Sequence, residues 1–138
     1  MASDSMFGTS ASLRKTAKLL SDTADAMAEA RKTAMSLNPP GITLGEAEHS
    51  ILKENAMRDA VNKILLMAID STIKEVTGDL AQLQNAIQEA GKQIRKIENF
   101  KKAISIFAVL IGLAEAIVLR DPSAILTAFT KLKDTASA

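Results

Sequence analysis

From Leu13 the apolar positions fall at Leu13, Ala17, Leu20, Ala24 and Met27, in alternating steps of four and three. That spacing holds them on one face of a helix and predicts a helix over 12–37, with Ser10 or Ser12 as its cap and 1–11 as a flexible N-terminus. The helix ends there because Asn38, Pro39, Pro40 and Gly41 remove backbone donors and turn the residue before each proline away from the α region. The stripe is rich in alanine, so it buries little area per turn and favours docking on a neighbour over independent stability.

After a Pro/Gly loop over 38–45, Thr43 and Glu46 stand at capping-box spacing, each side chain within reach of an orphan amide of the next first turn. A long helix is expected over 46–102. Its apolar positions run Met57, Val61, Leu65, Ile69 and Ile73, and then Val76, Leu80, Leu83, Ile87, Ala90, Ile94 and Ile97. The second half keeps a 3-4 repeat, whereas the first steps by four, which shifts the stripe around the helix as a stutter does. Thr77, Gly78 and Asp79 sit where the pattern changes. A turn at 77–79 gives a hairpin and a continuous helix gives a rod; the spacing leaves both open. From Leu80 to Leu119 nothing in the pattern breaks the helix. Asp121 and Pro122 then suit the cap and first position of a final helix over 122–135, with Ile125, Ala128, Phe129 and Leu132 on one face. The fold class that follows is all-α: one domain, an elongated antiparallel bundle with long coiled-coil-like helices and a C-terminal apolar hairpin.

The segment "AISIFAVLIGLAEAIVL", Ala103 to Leu119, is apolar nearly all round, which means burial in protein or in lipid. Seventeen residues reach about 25 Å, a little short of a hydrocarbon core of about 30 Å. Its ten Leu, Ile, Val and Phe residues favour insertion by about 3–6 kcal/mol, against about 2.5–3.5 kcal/mol for a carboxylate at the centre. Glu115 lies near the end, where the cost is smaller, so insertion is feasible and marginal. Ala108, Gly112 and Ala116 make a small-residue ridge on which another helix approaches closely. In lipid the larger side chains, Ile104, Phe107, Leu110, Ile111 and Leu113 among them, face outward, and Glu115 faces a partner or a lumen. The return helix contributes Ile125, Phe129 and Leu132. Upstream, Lys92, Arg95, Lys96, Lys101 and Lys102 form a basic flank. Such a flank is worth about 1 kcal/mol per charge at an anionic surface, although basic solvated helix faces are common.

Composition narrows the field. The 138 residues carry 17 basic and 16 acidic side chains, no cysteine, no tryptophan and no tyrosine. A net charge of +1 does not suit nucleic acid, which rewards many neutralised phosphates. The stretch "MASDSMFGTSAS" lacks the cationic start and apolar centre of a Sec signal, so the expected location is cytoplasmic when made, with a non-Sec route or membrane association afterwards. His49 follows Glu46 at the Glu-x-x-His spacing of di-iron bundles, but such sites need two such pairs and further inward carboxylates. Helix starts favour carboxylates in any case. No cofactor, metal, small-molecule substrate or catalytic residue is expected, since no serine or threonine has a histidine or lysine placed as its base.

The stretch "IRKIENFKKAISIFAVLIGLAEAIVLRDPSAILTAF" resembles the membrane-inserting part of the α-helical pore-forming toxins of the cytolysin A and haemolysin BL type. The resemblance is one of pattern and covers Ile73 to Leu132 at most. It implies a soluble form that hides the apolar hairpin and a rearrangement that exposes it as protomers assemble. Those toxins are longer and carry a fuller tail bundle.

Two readings follow, and the sequence favours the first over the second as its alternative. In the first the chain is a non-enzymatic, self-assembling, membrane-active helical protein that inserts or lays down the 103–132 hairpin. In the second it is a soluble oligomeric helical interaction protein, one form being a substrate or chaperone of a specialised secretion system, with 103–119 as its buried central helix. Partners under the two are a second copy of the chain, a lipid membrane or a helical partner protein.

Overall fold

The computed structural model describes residues 10–37, 41–67, 80–96 and 99–137. Among these residues there are five helices and no strand: α1 (Ser10–Ser36), α2 (Leu44–Met67), α3 (Leu80–Lys96), α4 (Phe100–Leu119) and α5 (Pro122–Ser137). The proposed kink or turn at 77–79, the apolar positions Ile69, Ile73, Val76 and Ile97, and most of the flexible 1–11 segment lie outside the described residues.

The 4-3 stripe of α1 forms as its spacing predicts. Leu13, Ala17, Leu20, Ala24 and Met27 are all buried, and α1 packs on α2, α3 and α4. Arg31 and Asp25 of α1 pair with Glu54 and Arg58 of α2, so α2 runs back along α1. Thr16 and Glu29 bond Gln84 and Arg95 of α3, so α3 runs in the same direction as α1. Of the two forms left open over 46–102, the continuous rod is overturned and the hairpin agrees: α2 and α3 point in opposite directions and flank α1.

A second break separates α3 from α4. Asn99 takes an extended conformation (φ −85°, ψ 105°), and its side chain accepts hydrogen bonds from the backbone N–H groups of Lys101 and Lys102. Asparagine is among the best N-caps, and here it overrides an apolar pattern that runs on through it. The apolar helix consequently starts at Phe100, three residues before the predicted boundary.

The α4–α5 connection uses two residues. Arg120 is left-handed (φ 57°); its N–H donates to Ile117 and that of Asp121 to Ala116, the paired bonds of a Schellman termination. Asp121 then accepts from the N–H groups of Ser123 and Ala124 and so caps α5, as its sequence position predicts. Helix α5 runs two residues beyond the predicted 135.

The buried face of α2 differs from the predicted one. It comprises Ala47, Ser50, Glu54, Met57, Val61 and Ile64, with Ala60 and Met67 beside it. That is a regular 3-4 repeat with no stutter, and Leu65 points outward at 40% exposure. Met57 and Val61 are buried as the apolar pattern predicts, but the next step is three, to Ile64, and not four, to the equally apolar Leu65. On α3, Leu83, Ile87, Ala90 and Ile94 are fully buried as predicted.

Two substitutions test these local assignments by thermal or urea unfolding followed by circular dichroism. Asn99→Ala removes the α4 cap and is expected to lower stability by about 1 kcal/mol. A Cβ at Gly112 meets no neighbouring atom within 4 Å, so Gly112→Ala is expected to raise stability by about 0.5–1 kcal/mol.

Candidate functional site

The predicted hairpin is assembled, with α4 at its centre. Helix α4 packs against all four other helices, and its large side chains point inward: Phe107, Leu110 and Leu113 are fully buried and Ile111 nearly so, together with Ala116. Ile104 and Ala108 are half-buried, and Gly112 and Glu115 are exposed. On the return helix Ile125 and Leu132 are buried, whereas Phe129 is half-buried with the Lys133 ammonium 5.2 Å from its ring centre. The outward stripe of α4 is thus Lys101, Ser105, Gly112, Glu115 and Leu119. All but the last are polar or small.

This division settles what the small residues face. Ala108 and Gly112 line an open groove with Ala124, Thr127, Ala128 and Lys131 of α5, while Ala116, the third member of the ridge, is buried. The ridge is therefore split between groove and core. Glu115 lies in a second groove beside Asp59 and Lys63 of α2.

The basic flank sits where α3 ends and α4 begins. Lys92, Arg95, Lys96 and Lys101 are exposed and Lys102 is half-buried. Within the fold Lys92 pairs with Glu89 at 3.4 Å and Arg95 with Glu29 of α1 at 3.1 Å. Exposed pairs of this kind are worth about 0–1 kcal/mol, but they reduce the positive field of the flank.

Glu46 is engaged as a cap. Its Oε1 accepts from the Thr43 N–H at 2.8 Å and its own N–H donates to Thr43 Oγ1 at 3.1 Å, which is the predicted capping box. His49 is exposed. Among the described residues no three His, Asp or Glu side chains converge as metal ligands would.

Among the described residues, sequence reasoning missed a buried charged cluster. The Arg31 guanidinium donates through Nε and Nη2 to both oxygens of Glu54, at 3.0 and 3.1 Å, and Ser50 Oγ donates to the same carboxylate at 2.8 Å. The bidentate hydrogen bond to Glu54, reinforced by its charge, holds the Arg31 pKa above its ordinary value against the opposing effect of burial. Ser50 and Glu54 occupy consecutive core positions of the α2 repeat. The available signal was that repeat itself, which places a glutamate on the buried side where only a paired charge is tolerated. The cluster fixes how α1 sits on α2.

Comparison with known proteins identifies no matching family model, no matching curated protein and no matching solved structure.

Removing one partner of the buried pair strands the other. Glu54→Ala is expected to cost about 3 kcal/mol, whereas Arg31→Met combined with Glu54→Leu is expected to recover most of that loss. Urea unfolding of the single and double variants checks both values.

Proposed function

We propose that this chain is a non-enzymatic helical assembly protein: a soluble bundle that associates with itself or with a helical partner, with α4 as its buried central helix. A substrate or chaperone of a specialised secretion system is one form this takes. The observation that carries the reading is the division of α4, with its large apolar side chains facing four other helices and a small or polar stripe facing water. The elongated, coiled-coil-like antiparallel form belongs to the same proposal and draws on the regular 4-3 stripe of α1.

Magnitudes favour it. Seven large side chains of α4, from Phe100 to Ile117, are buried; at about 1.5–3 kcal/mol each they contribute about 10–20 kcal/mol, as much as the whole net stability of a typical domain. Lipid substitutes for protein around α4 itself. It does nothing for the faces of α1, α2 and α3 that α4 covers.

A second reading retains support from one observation. Phe100–Leu119 is 20 residues long with a mean hydropathy of 2.2 over its most apolar window, and half of that window is buried, so by length and composition it suits a membrane as well as a core. In this reading the bundle is the soluble state of a self-assembling, pore-forming-like protein, and the α4–α5 hairpin inserts or lies on the bilayer once other copies cover the vacated faces.

Light scattering on the purified protein, run beside dye release from liposomes with and without anionic lipid, separates the two. The assembly reading expects a discrete oligomer in buffer and no release; release that rises with protein concentration overturns it in favour of the membrane reading. Ile111→Asp, at a position 8% exposed, is expected to unfold or dissociate the protein in buffer, which loss of the helical circular dichroism signal reports.

A further inference from the structure

Among the described residues, the outward face of α2 carries exposed aliphatic side chains at both of its ends. Ile51 and Leu52 stand at one end of it, 40% and 67% exposed, and Leu65 and Leu66 at the other, again 40% and 67% exposed. Between them lie Asn55, Arg58, Asp59 and Asn62, all exposed. The order reads the same from either end about a point between Arg58 and Asp59: two aliphatics, an asparagine, a charge, a charge, an asparagine, two aliphatics. Positions 51, 55, 58, 62 and 65 follow steps of four and three, and 52, 59 and 66 follow steps of seven, so all eight share one helical face.

Charge on this face is balanced at the centre. Arg58 is paired with Asp25 of α1 at 2.9 Å, and Asp59 precedes Lys63 by four residues, the favourable order on a helix. A neutral centre gives a strongly acidic, basic or anionic-lipid surface nothing to recognise, and its four polar residues make a wholly apolar partner costly. The complement is a surface with aliphatics at each end, a balanced polar centre and a length of about 24 Å, which is what 16 helical residues span.

We propose that this face docks a second copy of the chain, α2 lying against α2 in the opposite direction about a two-fold axis at Arg58 and Asp59. The axis brings Ile51 and Leu52 of each copy onto Leu65 and Leu66 of the other, sets Asn55 against Asn62, and gathers two arginines and two aspartates at the centre. Opposed directions also oppose the helix dipoles and keep the two acidic starts, with Glu46 and Glu48, apart; the same-direction arrangement sets them side by side. The face deepens the assembly reading above by naming where self-association occurs. A helix face of about 24 Å by 10 Å covers well under the roughly 800 Å² per partner of a standard interface, so the dimer is a weak one that forms at micromolar concentration.

Sedimentation of the full chain without lipid, over roughly 1–100 µM, is expected to show a monomer–dimer equilibrium. Leu52→Lys with Leu66→Lys, both at exposed positions, is expected to weaken it at least tenfold with helix content unchanged. Because the chain has no cysteine, single replacements report direction. A mixture of Leu52→Cys and Leu66→Cys chains is expected to form a heterotypic disulfide on mild oxidation, whereas each variant alone stays largely uncrosslinked. Dimers that persist in the double lysine variant, or disulfides that form as readily within each cysteine variant alone, overturn the α2 face and leave the assembly reading standing. A monomer throughout overturns the α2 face and the self-association form of the assembly reading, leaving only its helical-partner form, and a monomer that releases liposome dye overturns the whole reading in favour of the membrane one.

Discussion

Everything in this fold follows from the need to cover α4. A helix with Phe107, Leu110, Leu113 and Ile117 on its inward side cannot face water there, and one neighbouring helix covers only part of such a wide arc. Four neighbours are used. The polar and small stripe through Lys101, Ser105, Gly112 and Glu115 marks the arc left uncovered, so the helix shows to solvent only what costs little to show.

The covering helices do not all pack in the same way. α1 meets its neighbours largely through alanine and threonine, which let the backbones approach. A Cβ at Gly91 of α3 lies 3.5 Å from the Thr23 methyl of α1, an ordinary contact, so there is little slack between these two helices. Small side chains make close packing but weak register, since one alanine resembles another. Register comes instead from the polar links: Arg31 with Glu54, whose carboxylate also accepts from Ser50, on one side, and Gln84 with Thr16 on the other. Among the described residues every buried side-chain polar atom has a partner. A shift of either neighbour by one turn strands a buried charge or amide, which is far more costly than exchanging one aliphatic contact for another.

Where sequence pattern and buried face coincide, the helices were legible residue by residue: the stripes of α1 and α3, the capping box at Thr43 and Glu46, and the two-residue link at Arg120 and Asp121. Two things were not. The α3–α4 break was hidden because Ile94, Phe100 and Ala103 continue an apolar period across it, and only the capping chemistry of Asn99 marks the end. The face of α2 was legible at Met57 and Val61, but its continuation slipped from Ile64 to the equally apolar Leu65, and its core positions Ser50 and Glu54 were hidden by their polarity. Hydrophobicity identifies a buried position only when its occupant is apolar, and a paired charge is invisible until its partner on another helix is known. The hairpin itself was legible from composition. Which of its sides faces inward depends on four other helices and was not.

One further consequence lies in the ends of the hairpin. Asn99 satisfies the first amides of α4, the Schellman bonds at Arg120 satisfy its last carbonyls, and Asp121 satisfies the first amides of α5. The ends of Phe100–Leu119 and the entry to α5 are therefore closed by residues of the hairpin itself, while α1, α2 and α3 meet α4 across its buried apolar side. Apolar cover of that kind is something that detergent tails also provide. The hairpin is accordingly a self-terminated cassette: in a micelle its helices keep their ends and their turn, while the three helices that surround it lose the surface against which they fold.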